Sequence, residues 1–251
     1  MHKTFIVSLF FMLMLPVSFS QTKTQKKPVK KTAAVSSQSK NPVKDTIVTA
    51  DKKLTDIRIK ITTDLGIIIV KLSDKTPKHR DNFVKLVKEH FYDSLLFHRV
   101  INSFVIQGGD PKSKNAMPGI LLGSGEVGYK IPAEFDTTLY HKKGALAAAR
   151  DNNPEKASSG CQFYIVEGKK YNNSELDIIE TRNNIKFSPA KRMTYKIKGG
   201  TPALDMNYTV FGEVETGMEV VDEIAAAPTD SNNRPVTDIK MKMEVMDEAV
   251  K

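Results

Sequence analysis

Between Ile57 and Met246 the apolar residues of the chain fall in short runs, mostly β-branched, with Gly, Pro or polar turn residues between them. Runs of that length suit strands and are too short for long helices. Ile57–Thr62 and Ile67–Leu72 flank Thr63-Asp64-Leu65-Gly66, a hairpin signal with Gly in the turn. Further strands are expected over Leu95–Ile101, Val105–Ile106, Gly144–Ala149, Gln162–Val166, Tyr208–Val214 and Ile239–Met246. Only two stretches have helical spacing. In the first, Thr76 stands as an N-cap before Pro77, and Phe83, Leu86, Val87 and His90 follow, with the helix ending near Glu89. The second is Gly217–Ala226. Many short strands with two helices predict a mainly β, closed or nearly closed structure with helical plugs.

The 251 residues, 40% hydrophobic and 27% charged, suffice for a sizeable core and exclude collagen, coiled-coil and wholly disordered classes. The net charge of +9 is concentrated in one place: residues 21–53 hold nine Lys and two Asp, and residues 54–251 sum to about +1. A nearly neutral body argues against nucleic acid as a partner. Residues 1–20 combine Lys3, an uncharged apolar stretch and the small residues Ser18 and Ser20, the layout of a secretory signal peptide cut after Ser20. The alternative is an uncleaved N-terminal anchor. Residues 21–53 lack aromatic residues and periodicity, so a disordered Lys-rich linker is expected there, able to touch an anionic envelope surface, and a globular domain over 54–251. The single Cys161 allows no internal disulfide.

Two segments break the strand pattern. Residues 112–138 form a loop-rich stretch with four Gly, and residues 168–202 a polar, basic insertion in which Ser174-Glu175-Leu176-Asp177 reads as a capping box opening a short helix.

The most informative stretch is Phe97-His98-Arg99-Val100-Ile101-Asn102-Ser103-Phe104-Val105-Ile106-Gln107-Gly108-Gly109-Asp110, where a strand–turn–strand path brings Arg99, Phe104 and Gln107 to one side. It resembles the signature of the cyclophilin family of peptidyl-prolyl cis-trans isomerases. Gly144–Arg150, Ser158–Ile165 and Val210–Val214 with Gly217-Met218 resemble its further segments, so the likeness runs from residue 55 to 246, interrupted by the insertion. The resemblance implies a closed eight-stranded antiparallel β-barrel capped by two α-helices, with a shallow proline pocket on its outer face. It implies Arg99 as donor to the prolyl nitrogen, with Gln107 and Phe104 as its catalytic companions. Val105, Ala149, Arg150, Tyr164, Leu204 and Tyr208 are the implied substrate-binding residues, Arg150 through its backbone. His98 is expected as a structural hydrogen-bonder, because this reaction moves no proton. Ala203 stands where many eukaryotic members have Trp, Tyr208 where they have His, Tyr164 for a usual Phe and Val105 for a usual Met. Loss of the indole predicts weak binding of the drug cyclosporin.

Other chemistries are poorly supported. A Cys–His hydrolase built from Cys161 with His98 or His141 lacks a local cation to activate the thiol. The five His, at positions 2, 79, 90, 98 and 141, include no close ligand pair, so neither metal nor cofactor is expected, and no phosphate-binding glycine pattern is present. The expected protein is a secreted, periplasmic, monomeric isomerase acting on proline-containing unfolded or extended polypeptides. The competing expectation is a cyclophilin-like module that binds such segments with little turnover.

Overall fold

The computed structural model describes residues 56–246. The expected signal peptide and the whole of the expected linker lie outside them. The described residues contain no helix long and apolar enough to cross a membrane.

Ten strands and four α-helices follow one another. They are β1 (Arg58–Thr63), β2 (Gly66–Leu72), α1 (Pro77–Lys88), β3 (Arg99–Ile101), β4 (Val105–Gly108), β5 (Lys130–Ile131), β6 (Ala145–Ala148), β7 (Ser158–Ser159), β8 (Phe163–Val166), α2 (Asn173–Asn183), α3 (Pro189–Ile197), β9 (Val210–Thr216), α4 (Met218–Ala225) and β10 (Met241–Met246). Eight strands form one curled antiparallel sheet in the order β10-β1-β2-β9-β6-β8-β4-β3, and β5 and β7 make a small separate pair. The sheet is open, which corrects the expected closed barrel. Of the expected strand Leu95–Ile101, only Arg99–Ile101 joins the ladder. Its leading half meets the opposite edge through the isolated bridge Leu96–Lys240, and the Leu96 amide turns instead to the Ser113 hydroxyl at 3.1 Å.

The β1–β2 hairpin turns through Asp64-Leu65, with the Thr63 hydroxyl accepting from the Leu65 amide at 3.1 Å and donating to the Gly66 carbonyl at 2.9 Å. A side chain on Gly66, at φ +140°, would meet Val220 of α4 at 2.7 Å. Helix α1 begins at Pro77 as expected, yet the Thr76 hydroxyl makes no cap. The carboxylate of Glu134 takes the Lys78 and His79 amides at 3.1 and 3.0 Å and the His79 ring at 2.7 Å. An anion at a helix N-terminus satisfies orphan amides and meets the positive end of the helix dipole. The His79 ring bonds the Ser158 hydroxyl at 2.9 Å on its far side. This Ser–His–Glu row has the outline of a catalytic triad, but Ser158 and His79 are 1% and 2% exposed, and the carboxylate is committed to capping.

Period-two alternation divides the strands between two apolar clusters. Ile59, Ile61, Ile68, Val70, Val100, Ile106, Leu146, Phe163 and Ile165 face the interior with Phe83 of α1 and Ile224 of α4. Val105, Ala145, Ala147, Tyr164, Val166 and Val210 face the other way and form a second cluster with Phe104, Leu139, Leu204 and Tyr208. Strands β6 and β8 are therefore buried on both faces.

Two of the four helices lie in the insertion, where one short helix was expected. Helix α2 opens on a capping box two residues earlier than expected: the Asn172 side chain accepts from the Glu175 amide at 2.9 Å and Glu175 accepts from the Asn172 amide at 2.8 Å. Ser188 caps α3. Leu176, Phe187 and Tyr195 bury a small core between the two.

Because Glu134 serves two helix amides and a buried imidazole, Glu134→Ala should lower unfolding free energy by about 1–3 kcal/mol. Denaturant titration reads this directly, and an unchanged midpoint would remove the capping role.

Candidate functional site

Strand register assembles the site. Arg99 lies directly opposite Gln107 on β4, and Gln107 opposite Tyr164 on β8, so a guanidinium, an amide and a phenol form one row across three strands on the outward face. The turn before β4 places Phe104 beside them, and Val105 follows two residues before Gln107 on the same face. Ala149 and Arg150 continue from β6, Leu204 ends a short 3-10 turn over Pro202–Leu204, and Tyr208 precedes β9. All nine residues singled out from the sequence line a single open cavity of about 400 Å³, together with His98, Leu122 and Gly123.

The cation in this row has an unusual partner. Arg99 donates from Nη1 to Gln107 Oε1 at 3.2 Å, and no carboxylate among the described residues pairs with it. Gln107 Nε2 donates to Gln162 Oε1 at 3.1 Å, and Gln162 Nε2 donates to the Gly123 and Gly125 carbonyls at 3.0 and 2.8 Å. Each amide is thus oriented by the next, and the relay ends on backbone. Asp110, fully buried, holds the same loop by accepting from the Gly123 amide and, at 2.7 Å, from the Lys112 amide. Leu122, Gly123 and Gln162 were not identified as site residues from the sequence. The glycine-rich stretch and the polar Gln162 among apolar neighbours were their only signals.

Arg150 turns its guanidinium over the Tyr208 ring, 4.7 Å from the centroid, and donates to the Asn207 carbonyl at 2.8 Å. Its own backbone amide and carbonyl have no protein partner among the described residues. The Tyr164 hydroxyl meets His141 Nε2 at 2.9 Å, His141 Nδ1 meets Asp205 Oδ1 at 2.9 Å, and the Tyr195 hydroxyl donates to Asp205 Oδ2 at 2.7 Å. This buried row ties the floor of the cavity to α3. Burial pushes the Tyr164 and Tyr195 hydroxyls well above the ordinary phenol range, so both stay protonated. At the rim, Ala203 is exposed, and Asn183 of α2 donates to its carbonyl at 2.9 Å.

His98 lines the cavity beside the Leu96 backbone, and neither ring nitrogen has a partner of full hydrogen-bond geometry among the described residues. Burial pushes its pKa down to about 4, with Asp110 pulling the other way. It is therefore neutral at physiological pH. Cys161 is buried, contacts the Ser159 hydroxyl at 3.8 Å, and burial raises its thiol to about 11. A thiol in that state is a poor nucleophile, and His141 is committed to Tyr164 and Asp205, so the Cys–His arrangement is excluded. Among the described residues no group of three or more His, Cys, Asp or Glu side chains is placed to hold a metal ion.

A cation held by an amide, beside an apolar hollow on the outer face of an antiparallel sheet, is the class of site these residues form. Comparison with known proteins gives that class its family. The family described as cyclophilin type peptidyl-prolyl cis-trans isomerase/CLD matches residues 58–245. A Staphylococcus haemolyticus protein named as a peptidyl-prolyl cis-trans isomerase is 32% identical over 192 residues, covering 75% of this chain and 91% of that protein. A Streptococcus pyogenes protein named as a bifunctional phosphatase/peptidyl-prolyl cis-trans isomerase is 35% identical over 196 residues, which are 76% of this chain but only 39% of that one. Among solved structures, a Cryptosporidium parvum cyclophilin type peptidyl-prolyl cis-trans isomerase superposes with a TM-score of 0.56 at 22% identity, covering 77% of this chain and 99% of that one. That protein was also crystallised in the presence of the dipeptide Ala-Pro. The chain belongs to the cyclophilin-type peptidyl-prolyl cis-trans isomerases, and isomerase is its enzyme class.

The neutral, buried His98 makes stability depend on pH. Its folded pKa lies below the ordinary value of 6.5, so as pH falls from 7 to 5 the unfolded chain takes up a proton that the folded chain refuses. This linkage should cost about 2 kcal/mol over that window. Denaturant titrations at both pH values should show a smaller loss in His98→Gln than in the parent. Equal losses would mean that His98 is solvated.

Proposed function

We propose that the protein catalyses rotation about X–Pro peptide bonds in unfolded or extended polypeptides, with Arg99 as the group that favours the twisted state. The observation that carries this reading is the Arg99–Gln107 pair on the edge of an apolar cavity. Peptide rotation is slow because the nitrogen lone pair is delocalised into the carbonyl, with a barrier of about 18–20 kcal/mol. No bond breaks, so the catalyst needs no cofactor and no nucleophile. It has to bind the twisted amide better than the planar one.

In the twisted state the prolyl nitrogen becomes pyramidal and regains its lone pair. A guanidinium donates to that nitrogen only then, which makes the hydrogen bond selective for the transition state. Arg99 has donors to spare, because Gln107 occupies one of five N–H groups and neutralises no charge. Phe104, Val105, Tyr164 and Leu204 offer apolar surface to the proline ring. Holding the ring there fixes one side of the bond and excludes water from the donor. The unpaired Arg150 backbone supplies a donor and an acceptor to the extended chain before proline, and Ala149 gives it room. Moving a step of tens of seconds to milliseconds requires about 10⁴-fold, or 5–6 kcal/mol. One charged donor with firm positioning covers that amount.

For setting, we propose the cell envelope. The apolar leader and Lys-rich tract are the support for export to the periplasm, where slow proline isomerisation limits the folding of exported chains. An anchored form is the alternative. The chain is proposed to act as a monomer on many clients.

A protease-coupled assay on a short Ala-Pro peptide tests the central step. Arg99→Ala should reduce kcat/KM by about 10²–10³-fold with the fold intact by circular dichroism. An unchanged rate overturns the role of Arg99, and binding of Ala-Pro segments by the parent without any rate increase favours the non-catalytic module. The exposed Ala203 leaves cyclosporin without an indole to grip, so titration should give a Kd of about micromolar or weaker. Nanomolar affinity would contradict this.

A further inference from the structure

Charge in the folded body is separated in space. Residues 168–202 carry eight Lys or Arg against three acidic residues, whereas the rest of residues 54–251 carries 20 against 24. The insertion therefore holds a positive field that the remainder of the body lacks. Helix α2 stands against the 202–204 turn, so that field begins at the rim of the proline cavity.

A second cavity of about 410 Å³ lies on the other side of the same rim, lined by Lys186, Phe187, Lys191, Asp205 and Met206 among others. The segment Leu204–Tyr208 is a shared wall: Leu204 and Tyr208 face the first cavity, and Asp205 and Met206 the second. Two acidic groups near this wall are already spent. Asp205 serves His141 and Tyr195, and Glu180 accepts from the Phe187 amide at 2.8 Å, from Arg192 at 3.2 Å and from Lys186 at 3.1 Å. The cations around the wall are not spent. Lys191 lies over the Tyr140 ring at 4.7 Å, Lys156 donates to the Met206 carbonyl at 3.0 Å, and Arg150 lies over Tyr208. None of these three pairs with a carboxylate among the described residues. Lys186 is bonded to Glu180, yet its side chain remains 89% exposed.

Cations with aromatic or carbonyl partners keep their charge available to a ligand. A polypeptide seated with its proline over Phe104 and Leu204 that crosses the rim passes Met206 and enters this field. We infer that the insertion and the 204–208 wall form an accessory subsite that favours a carboxylate side chain in the polypeptide flanking the proline. The inference deepens the isomerase reading by naming a substrate class, and it rests on that reading for the seat of the proline.

The test uses fluorescently labelled Ala-Pro peptides in which one flanking position at a time carries Glu, Gln or Lys. Their Kd values are measured by anisotropy, with turnover recorded separately. At one or more positions Glu should bind about two- to fivefold more tightly than Gln, and Lys more weakly, as expected for solvent-exposed ion pairs. Raising salt to about 1 M should erase the difference. Lys186→Gln with Lys191→Gln should weaken the preference while leaving turnover of the uncharged peptide unchanged. Adding Lys156→Gln to that pair should abolish it. Equal affinity for Glu and Gln at every position overturns the subsite, as does a preference that survives both variants. Failure of every peptide to turn over would instead remove the isomerase reading, and the Kd values would still decide the charge preference.

Discussion

The guanidinium of Arg99 is tied to an amide and not to a carboxylate, and the rest of the site is arranged to keep it so. A carboxylate partner would neutralise the charge and hold the donors in place at the cost of their availability. An amide orients the group and leaves its field intact. That choice passes a requirement along the strands, because an amide has two ends to satisfy. Gln107 hands its donor to Gln162, and Gln162 ends on the carbonyls of Gly123 and Gly125. A loop that looks incidental in sequence becomes the last support of the Arg99 cation, and the buried Asp110 is what keeps that loop in place.

Much of this fold was legible because strand periodicity is short-ranged. The hairpin at Thr63–Gly66, the Pro77 helix start and the outward alignment of Arg99 with Gln107 all follow from neighbouring residues. What escaped depends on partners remote in sequence. The cap of α1 comes from Glu134, more than fifty residues beyond Thr76, so a local N-cap rule picks the wrong oxygen. The Leu95–Phe97 stretch has strand composition, but it meets the β10 edge through the single Leu96–Lys240 bridge, and its Leu96 amide goes to Ser113, so no continuous ladder closes the sheet. Helix α2 opens on Asn172 because an Asn side chain caps as well as Ser does, and two overlapping cap patterns compete in Asn172–Asp177. The site residues were placed through family resemblance, and their convergence on one cavity rests on cross-strand register.

The insertion is bound into the site and is more than an appended domain. Tyr195 closes a buried row through Asp205 and His141 to Tyr164, and Asn183 holds the rim turn by its Ala203 carbonyl. Every polar atom of that row serves a neighbour, so removing one hydroxyl leaves another group buried without a partner. The wall that carries Leu204 and Tyr208 is therefore supported from behind by α3. Rigid support of this kind favours a cavity whose shape is set before a ligand arrives.

The sheet order has a temporal consequence. Strand β1, the first of the sheet, is covered on one side by β10, the last. During synthesis or passage through a membrane the chain emerges from its N-terminal end, so the β1–β2 hairpin must wait with an unpaired edge until residue 246 is free. An exposed strand edge invites pairing with another chain. A protein proposed to assist the folding of other polypeptides is thus itself slow to close, unable to complete its own sheet until β10 has been delivered.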